Sequence, residues 1–283
     1  MEQISASAVA LTPESFARFA KFITRQLGIK MSEAKVPMLQ SRLMRRLREL
    51  QIHSLEEYQD YLFDSPGGQA ELIHFINAVT TNKTDFFREP QHFDYLVRQA
   101  LPDLSRSSAG VSSQFKLWCA GCSSGEEPYT LAIVLSEYAK QHPGFQFSIL
   151  ATDISTKVLD HAQTGIYDES RIEPVPPALR RSYLLRSSDP SRCLVRVVPE
   201  LRSKISFRRL NFMDADYGLR DIFDVIFFRN VMIYFDKETQ ESVVQKQCRN
   251  LRSGGYLFVG HSESLAGLDV PVAMSGPAVF RRR

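Results

Sequence analysis

Apolar residues follow two different rhythms along this chain. Over the first eighty or so positions they recur at helical spacing. Phe16, Phe19, Ile23 and Leu27 form one such stripe, Leu39, Leu43, Leu47 and Leu50 a second, and Leu72, Phe75, Ile76 and Val79 another. Thr12-Pro13 reads as cap and first-turn proline of the opening helix, and Gly28 suits its end. A second helix starts near Pro37, Ser54-Leu55-Glu56-Glu57 is a capping box for a third, and Asp64–Gly68 is a turn before a fourth. Residues 1–81 are therefore expected to form a small all-α domain, with Met1–Leu11 as a loose tail.

After a linker (82–100) the rhythm changes to short continuous apolar runs alternating with amphipathic stretches. Phe115–Cys119, Phe145–Ala151, Ile205–Leu210, Phe223–Phe228 and Tyr256–His261 read as buried strands. Helices are expected from the segment containing Leu131, Val134, Leu135 and Tyr138, from Ser155–Ala162, and from Lys237–Arg252, the last stopped by Gly254-Gly255. Residues 166–203 interrupt the alternation. They are rich in Pro and Arg, only Leu194–Val198 resembles a strand, and they read as an inserted small β-subdomain (about 168–203). Two apolar runs after Leu268 suggest a terminal hairpin. The fold class is α/β: a doubly wound sheet spanning 101–283, preceded by the helical domain.

Composition narrows this without redirecting it. The chain has 283 residues, 43% apolar and 24% charged, which suits a globular protein of about two domains. No apolar stretch reaches the ~18 residues that span a bilayer, and no secretory pattern opens the sequence, so a cytoplasmic protein without direct membrane insertion is expected. Four cysteines make no disulfide framework. Cys119-Ala-Gly-Cys122 lacks a second ligand pair and the histidines are scattered, so no metal site is expected. A net charge of +3 is too small to indicate nucleic acid by itself. Its distribution is more telling: Arg42, Arg45 and Arg46 fall within about a 100° arc of the second helix, beside the leucine stripe, with Arg48 farther round. Glu49 is the only acidic residue at i±4 to Arg42 or Arg45. The alternatives are a solvated charged face and a docking surface for an acidic partner.

Candidate chemistry gathers just past the strand ends: Glu127 after the first strand, Asp153 after the second, then Asn211 and Asn230. In open α/β sheets ligands bind at that edge. The first loop, Gly121 to Gly125, departs from GxGxxG, so it reads either as a tight turn or as bare backbone beside a cofactor. Asp153 is equally readable as a ribose-diol acceptor or as a cap for the next helix. The linker, Asn82-Lys83-Thr84-Asp85-Phe86-Phe87-Arg88-Glu89-Pro90, either docks through its phenylalanines or lays Asn82, Thr84 and Arg88 over a cleft.

Taken in order, the linker motif, Ser124-Gly125-Glu126-Glu127-Pro128-Tyr129, Thr152-Asp153-Ile154, Arg229-Asn230-Val231-Met232-Ile233-Tyr234-Phe235 and Gly260-His261-Ser262-Glu263 resemble the CheR-type chemotaxis receptor methyltransferases of bacteria over nearly the whole chain. The resemblance implies a Rossmann-like S-adenosylmethionine domain and transfer of the methyl to glutamates of chemoreceptors, leaving S-adenosylhomocysteine. It implies cofactor contacts from Asn82, Thr84, Arg88, Glu127, Asp153, Asn211, Phe212, Arg229 and Asn230, with Gly121 giving backbone room. Tyr234 would line the reacting end, with Arg88 meeting a carboxylate of cofactor or substrate. Which of Glu126 and Glu127 faces the ligand stays open. The acceptor glutamate, with a reference pKa of ~4.3, is already ionised at neutral pH and needs no general base.

The resemblance also gives Arg42, Arg45, Arg46 and Arg48 a partner, the acidic methylation region of the receptor. Relatives that grip a receptor C-terminal pentapeptide carry glycines in a β-subdomain loop that here reads Arg186-Ser187-Ser188-Asp189-Pro190. A tether-independent, monomeric enzyme is therefore expected. Two alternatives stand beside it: a catalytically silent cofactor-binding module, and a nucleic-acid methyltransferase. Against the latter, Asn230-Val231-Met232-Ile233 replaces the Asn/Asp-Pro-Pro-Tyr/Phe segment of base amino-methyltransferases.

Overall fold

The computed structural model describes residues 11–107 and 114–283, so the expected N-terminal tail lies almost wholly outside the described residues. Helices α1 (Pro13–Leu27), α2 (Val36–Leu50), α3 (Leu55–Asp64) and α4 (Gly68–Val79) form the N-terminal bundle. Its ends follow the sequence signals. The Thr12 hydroxyl accepts from Ser15 N at 3.2 Å, and Gly28 closes α1 at φ 68°. The leucine and phenylalanine stripes meet in one core, where the rings of Phe19 and Phe75 stack with centroids 5.7 Å apart.

The linker leads into α5 (Gln91–Tyr95), a π-helical turn (Leu96–Ala100) and α6 (Leu101–Ser107). Strand β1 (Phe115–Ala120) then passes through α7 (Glu126–Gln141) to β2 (Phe147–Asp153) and α8 (Thr156–Thr164). The insert follows: β3 (Ile166–Asp168), α9 (Pro177–Tyr183), β4 (Leu184–Arg186), β5 (Leu194–Val197) and α10 (Pro199–Arg202). Its strands pair antiparallel in the order β3-β5-β4. Thereafter come β6 (Ile205–Arg209), β7 (Phe223–Phe228), α11 (Lys237–Arg249), β8 (Leu251–Val259) and the hairpin β9 (Val272–Gly276) and β10 (Val279–Arg282).

The main sheet runs β6-β2-β1-β7-β8-β10-β9, parallel from β6 to β8 and antiparallel beyond. Chain order reverses between β1 and β7, which opens a crevice at their carboxyl ends. Both faces of these strands are covered, which explains their unbroken apolar runs. Leu117, Cys119, Val225 and Phe227 face one core, while Trp118, Ala120, Ile226 and Phe228 face the other. Trp118 is fully buried and donates Nε1–H to Thr152 Oγ1 at 2.9 Å.

Two boundaries differ from expectation. β2 begins at Phe147 and includes Asp153 as its last residue. The helix α11 stops at Arg249, and β8 starts at Leu251 and contains the glycine pair taken as a breaker. Register against β7 shifts between Phe223 and Val225, and a Cβ on Gly255 would stand 2.8 Å from the Asp224 carbonyl oxygen. The glycine there permits close strand approach.

The bundle sits over the carboxyl end of the sheet. Lys30 N donates to Tyr234 O at 2.8 Å, Asn211 Nδ2 to Gln26 O at 2.8 Å, and Asn77 Nδ2 to Thr156 Oγ1 at 3.0 Å. Among the described residues, no helix is long and apolar enough to cross a membrane.

Candidate active site

Between bundle and sheet lies a cavity of about 390 Å³, within the size range of small-molecule sites. One wall is the strand-end side: Gly121, Ser123, Glu127, Asp153, Asn211, Phe212, Arg229, Asn230 and Tyr234. The linker adds Asn82, Thr84 and Arg88. The facing wall belongs to the bundle and comprises Leu27, Ile29, Met31, Lys35, Met38 and Val79. Of these, Leu27 and Val79 read in the sequence as ordinary helix core, and the others carried no motif.

The loop after β1 is shaped by backbone. Gly121 N and Cys122 N both donate to Thr152 O, and Gly121 takes φ 85°. A Cβ there would stand 2.5 Å from Val231 Cγ2, so the position stays bare. Gly125 has another reason for its glycine: a Cβ would meet Tyr167 Oη at 2.7 Å and Ala162 at 2.9 Å, so it serves packing against α8 and the insert. Asp153 receives Ser123 N on Oδ2 (2.8 Å) and Ser155 N on Oδ1 (3.0 Å). It thus caps locally and borders the cavity at once. Burial pushes its carboxyl up, opposed by these backbone donors.

The linker is strapped down at several points. Ser123 Oγ donates to Asn82 O (2.8 Å), Arg171 Nη2 to Thr84 O (2.6 Å), and Phe87 N to Thr130 Oγ1 (3.1 Å), while Phe86 packs edge-on against Tyr167. Glu126 is buried and accepts from Arg171 (2.6 Å) and Ser124 Oγ (2.6 Å). It faces the insert. Glu127 lines the cavity.

Behind Glu127 sits Arg229, its side chain 1% exposed. Nε donates to Glu127 Oε2 (2.6 Å), Nη1 meets His92 Nδ1 (2.9 Å) and Glu89 Oε2 (3.4 Å), and Nη2 donates to Arg88 O (2.8 Å). The guanidinium borders the cavity and has a protein partner at every nitrogen. Asn211 is similar, its amide joined to Gln26 O and Met213 N. Cys119 Sγ donates to Glu127 Oε1 at 3.2 Å, which gives a structural role to a cysteine that looked incidental. Burial pushes both Cys119 and Cys122 thiols well up.

Glu89, His92 and His261 also converge, with ligating atoms within 4.8 Å of one another. Arg229 already supplies the positive charge of that cluster. Burial works to raise the Glu89 carboxyl, but Arg229, Asn230 and His261 outweigh it and hold it low. Burial, then Arg229, pushes His92 down to about 4, so its Nδ1 accepts. Glu89 and His92 are neighbours in sequence, whereas Arg229 and His261 join them from more than a hundred positions away.

The arginines of α2 do not line the cavity. Arg42 caps the end of α4, donating to Val79 O (2.5 Å), Thr80 O (3.1 Å) and Thr81 Oγ1 (2.9 Å). Arg46 pairs with buried Glu71 (2.7 Å) and with Glu49. Arg42 and Arg46 thus have partners from α4 and beyond it that spacing within α2 does not show. Arg45, with a 3.3 Å contact to Glu49, and Arg48 are the ones that remain exposed.

Comparison with known proteins agrees with this division. Residues 14–80 match the family model of the CheR methyltransferase all-alpha domain, and residues 82–277 that of the CheR methyltransferase SAM binding domain. The chain is 39% identical to a chemotaxis protein methyltransferase of Borreliella burgdorferi, covering 92% of this chain and 91% of the relative. It is 40% identical to chemotaxis protein methyltransferase 2 of Pseudomonas aeruginosa (95% and 93%), and 36% identical to the chemotaxis protein methyltransferase of Escherichia coli (96% and 92%).

Proposed function

The chain belongs to the CheR methyltransferase family and is an S-adenosylmethionine-dependent methyltransferase; from that premise we propose that it esterifies glutamate side chains in the cytoplasmic methylation region of chemoreceptors, acting in the cytoplasm as a monomer. The observation that carries this reading is the cavity with carboxylates Asp153 and Glu127 on one wall and the largely apolar end of the bundle on the other.

The lining suits the cofactor. Each Asp153 oxygen has one backbone donor and a second lone pair for a ribose hydroxyl. Glu127, pinned by Arg229 and Cys119, presents a fixed carboxylate to the ammonium end. Bare Gly121 and the Phe212 ring border the remaining space. When bound, S-adenosylmethionine supplies an electrophilic methyl on a sulfonium. Asn82 and Thr84 of the linker would border it, Arg88 and Tyr234 would meet the acceptor carboxylate, and the bundle wall would exclude water. The acceptor arrives ionised, so these residues orient and desolvate without moving a proton.

Arg45 and Arg48, exposed on α2, are the arginines assigned to an acidic receptor helix, Arg45 exchanging its surface pair with Glu49 for that contact. Tether-independence is supported by the β4–β5 loop, where Ser187 Oγ and Asp189 Oδ1 bond the loop's own backbone. The test is transfer of radiolabelled methyl to receptor cytoplasmic fragments, followed by mass mapping of the modified residues. Label on glutamates supports the reading; cofactor binding without label would favour a silent module. Micromolar binding of receptor tail peptides in calorimetry would overturn tether-independence.

A further inference from the structure

Glu263 lies outside the cavity, yet it holds the wall that forms one side of it. The loop after β7 runs from Arg229 to Phe235 and contributes Asn230, Val231, Ile233 and Tyr234 to the lining. Asn230 sits at φ 60°, a left-handed conformation that asparagine adopts more readily than other non-glycine residues. A carboxylate anchors its backbone there. Glu263 Oε2 accepts from Asn230 N at 2.8 Å and from Gly260 N at 2.6 Å, and Oε1 accepts from Ile233 N at 3.3 Å. The same side chain therefore ties the loop after β7 to the loop after β8.

A second observation is independent of the carboxylate's hydrogen bonds. At Gly260 a Cβ would stand 2.4 Å from Asn230 Nδ2 and 2.9 Å from Glu263 Oε2. Glycine at 260 is thus required for the clasp to close, although its own backbone is unstrained. Glu263 is buried, and burial raises its carboxyl against the pull of the surrounding N–H groups. A charge kept in such a place needs several donors.

We propose that Glu263 is a positioning residue for methyl transfer: its carboxylate clasps the backbone of Asn230 and Ile233 so that Asn230 and Tyr234 face the cofactor. This rests on the methyltransferase reading above. Replacement by Gln keeps the size but turns an acceptor into an NH₂ donor facing a backbone N–H.

The experiment compares wild type with Glu263→Gln, Gly260→Ala and a core control, Val244→Ala in α11, which lowers stability without touching the clasp. Calorimetry gives the Kd for S-adenosylhomocysteine, and steady-state assays give kcat and the KM values for cofactor and receptor fragment, all well below each variant's Tm. Expected is at least a tenfold weaker Kd and a lower kcat in both clasp variants, receptor KM within twofold, and unchanged cofactor affinity in Val244→Ala. Cofactor affinity and kcat within twofold of wild type in folded Glu263→Gln would overturn the proposal. Should that variant not fold, Gly260→Ala decides by the same criterion. Failure of wild type itself to bind S-adenosylhomocysteine would reject the underlying reading instead.

Discussion

Arg229 and the arginines of α2 carry the same charge in opposite settings. Arg229 is enclosed, with carboxylates, a neutral imidazole and a carbonyl on its nitrogens and the rings of Phe93 and Phe227 beneath it. On α2, only Arg42 and Arg46 are similarly occupied, while Arg45 and Arg48 reach into solvent. The difference teaches that an arginine's role follows from how many of its donors the fold has already filled. Charge counts along a helix cannot report that.

The sharpest way to break the comparison is at Arg229. Its replacement by Ala leaves Glu127 and Glu89 without their cation and should lower unfolding free energy by about 3–5 kcal/mol in urea titration. A loss under about 1 kcal/mol would mean that the site is wetter and less constrained than drawn here.

The neighbour of Arg229 gives a pH signature. His92 is depressed to about 4 from 6.5, so both folded and unfolded states leave it neutral above pH 6.5. As pH falls from 6.5 towards 4 the unfolded chain takes a proton that the folded one refuses, and stability drops by on the order of 3 kcal/mol across that window. The drop attributable to this group should vanish in His92→Gln, measured by urea midpoints at stepped pH.

On α2 the effects should split. Arg46→Ala strands Glu71, whose side chain is 3% exposed, and should cost about 2–3 kcal/mol. Arg45→Ala should stay within about 0.5 kcal/mol. In binding rather than folding, Arg45→Glu with Arg48→Glu should raise the receptor KM about fivefold at low salt, less at high salt, with S-adenosylhomocysteine affinity within about twofold. An unchanged receptor KM would remove α2 from acceptor recognition.

Legibility followed range. The strands at 115 and 223 were readable because burial on both faces leaves an unbroken apolar run, and α1 because its cap, stripe and terminal glycine are local. The strand-end polar residues were readable from topology, since a doubly wound sheet offers its ligands one edge. What the sequence could not show was pairing across distance: Arg229 with Glu127, Arg46 with Glu71, Glu263 with Asn230. The same holds for Gly254-Gly255, which punctuates a helix only if the close approach of Asp224 is unknown.

The bundle's share of the cavity wall has a consequence for exchanging parts between relatives. Leu27, Ile29, Met31, Lys35, Met38 and Val79 form that face, and Asn211 and Tyr234 of the sheet domain bond the end of α1 and the turn after it, respectively. A chimera that takes its all-α domain from another family member, made to redirect receptor choice, would replace this face of the proposed cofactor cavity as well. Cofactor affinity and acceptor preference should therefore travel together in such hybrids, and a graft confined to the exposed residues of α2 is the way to move one without the other.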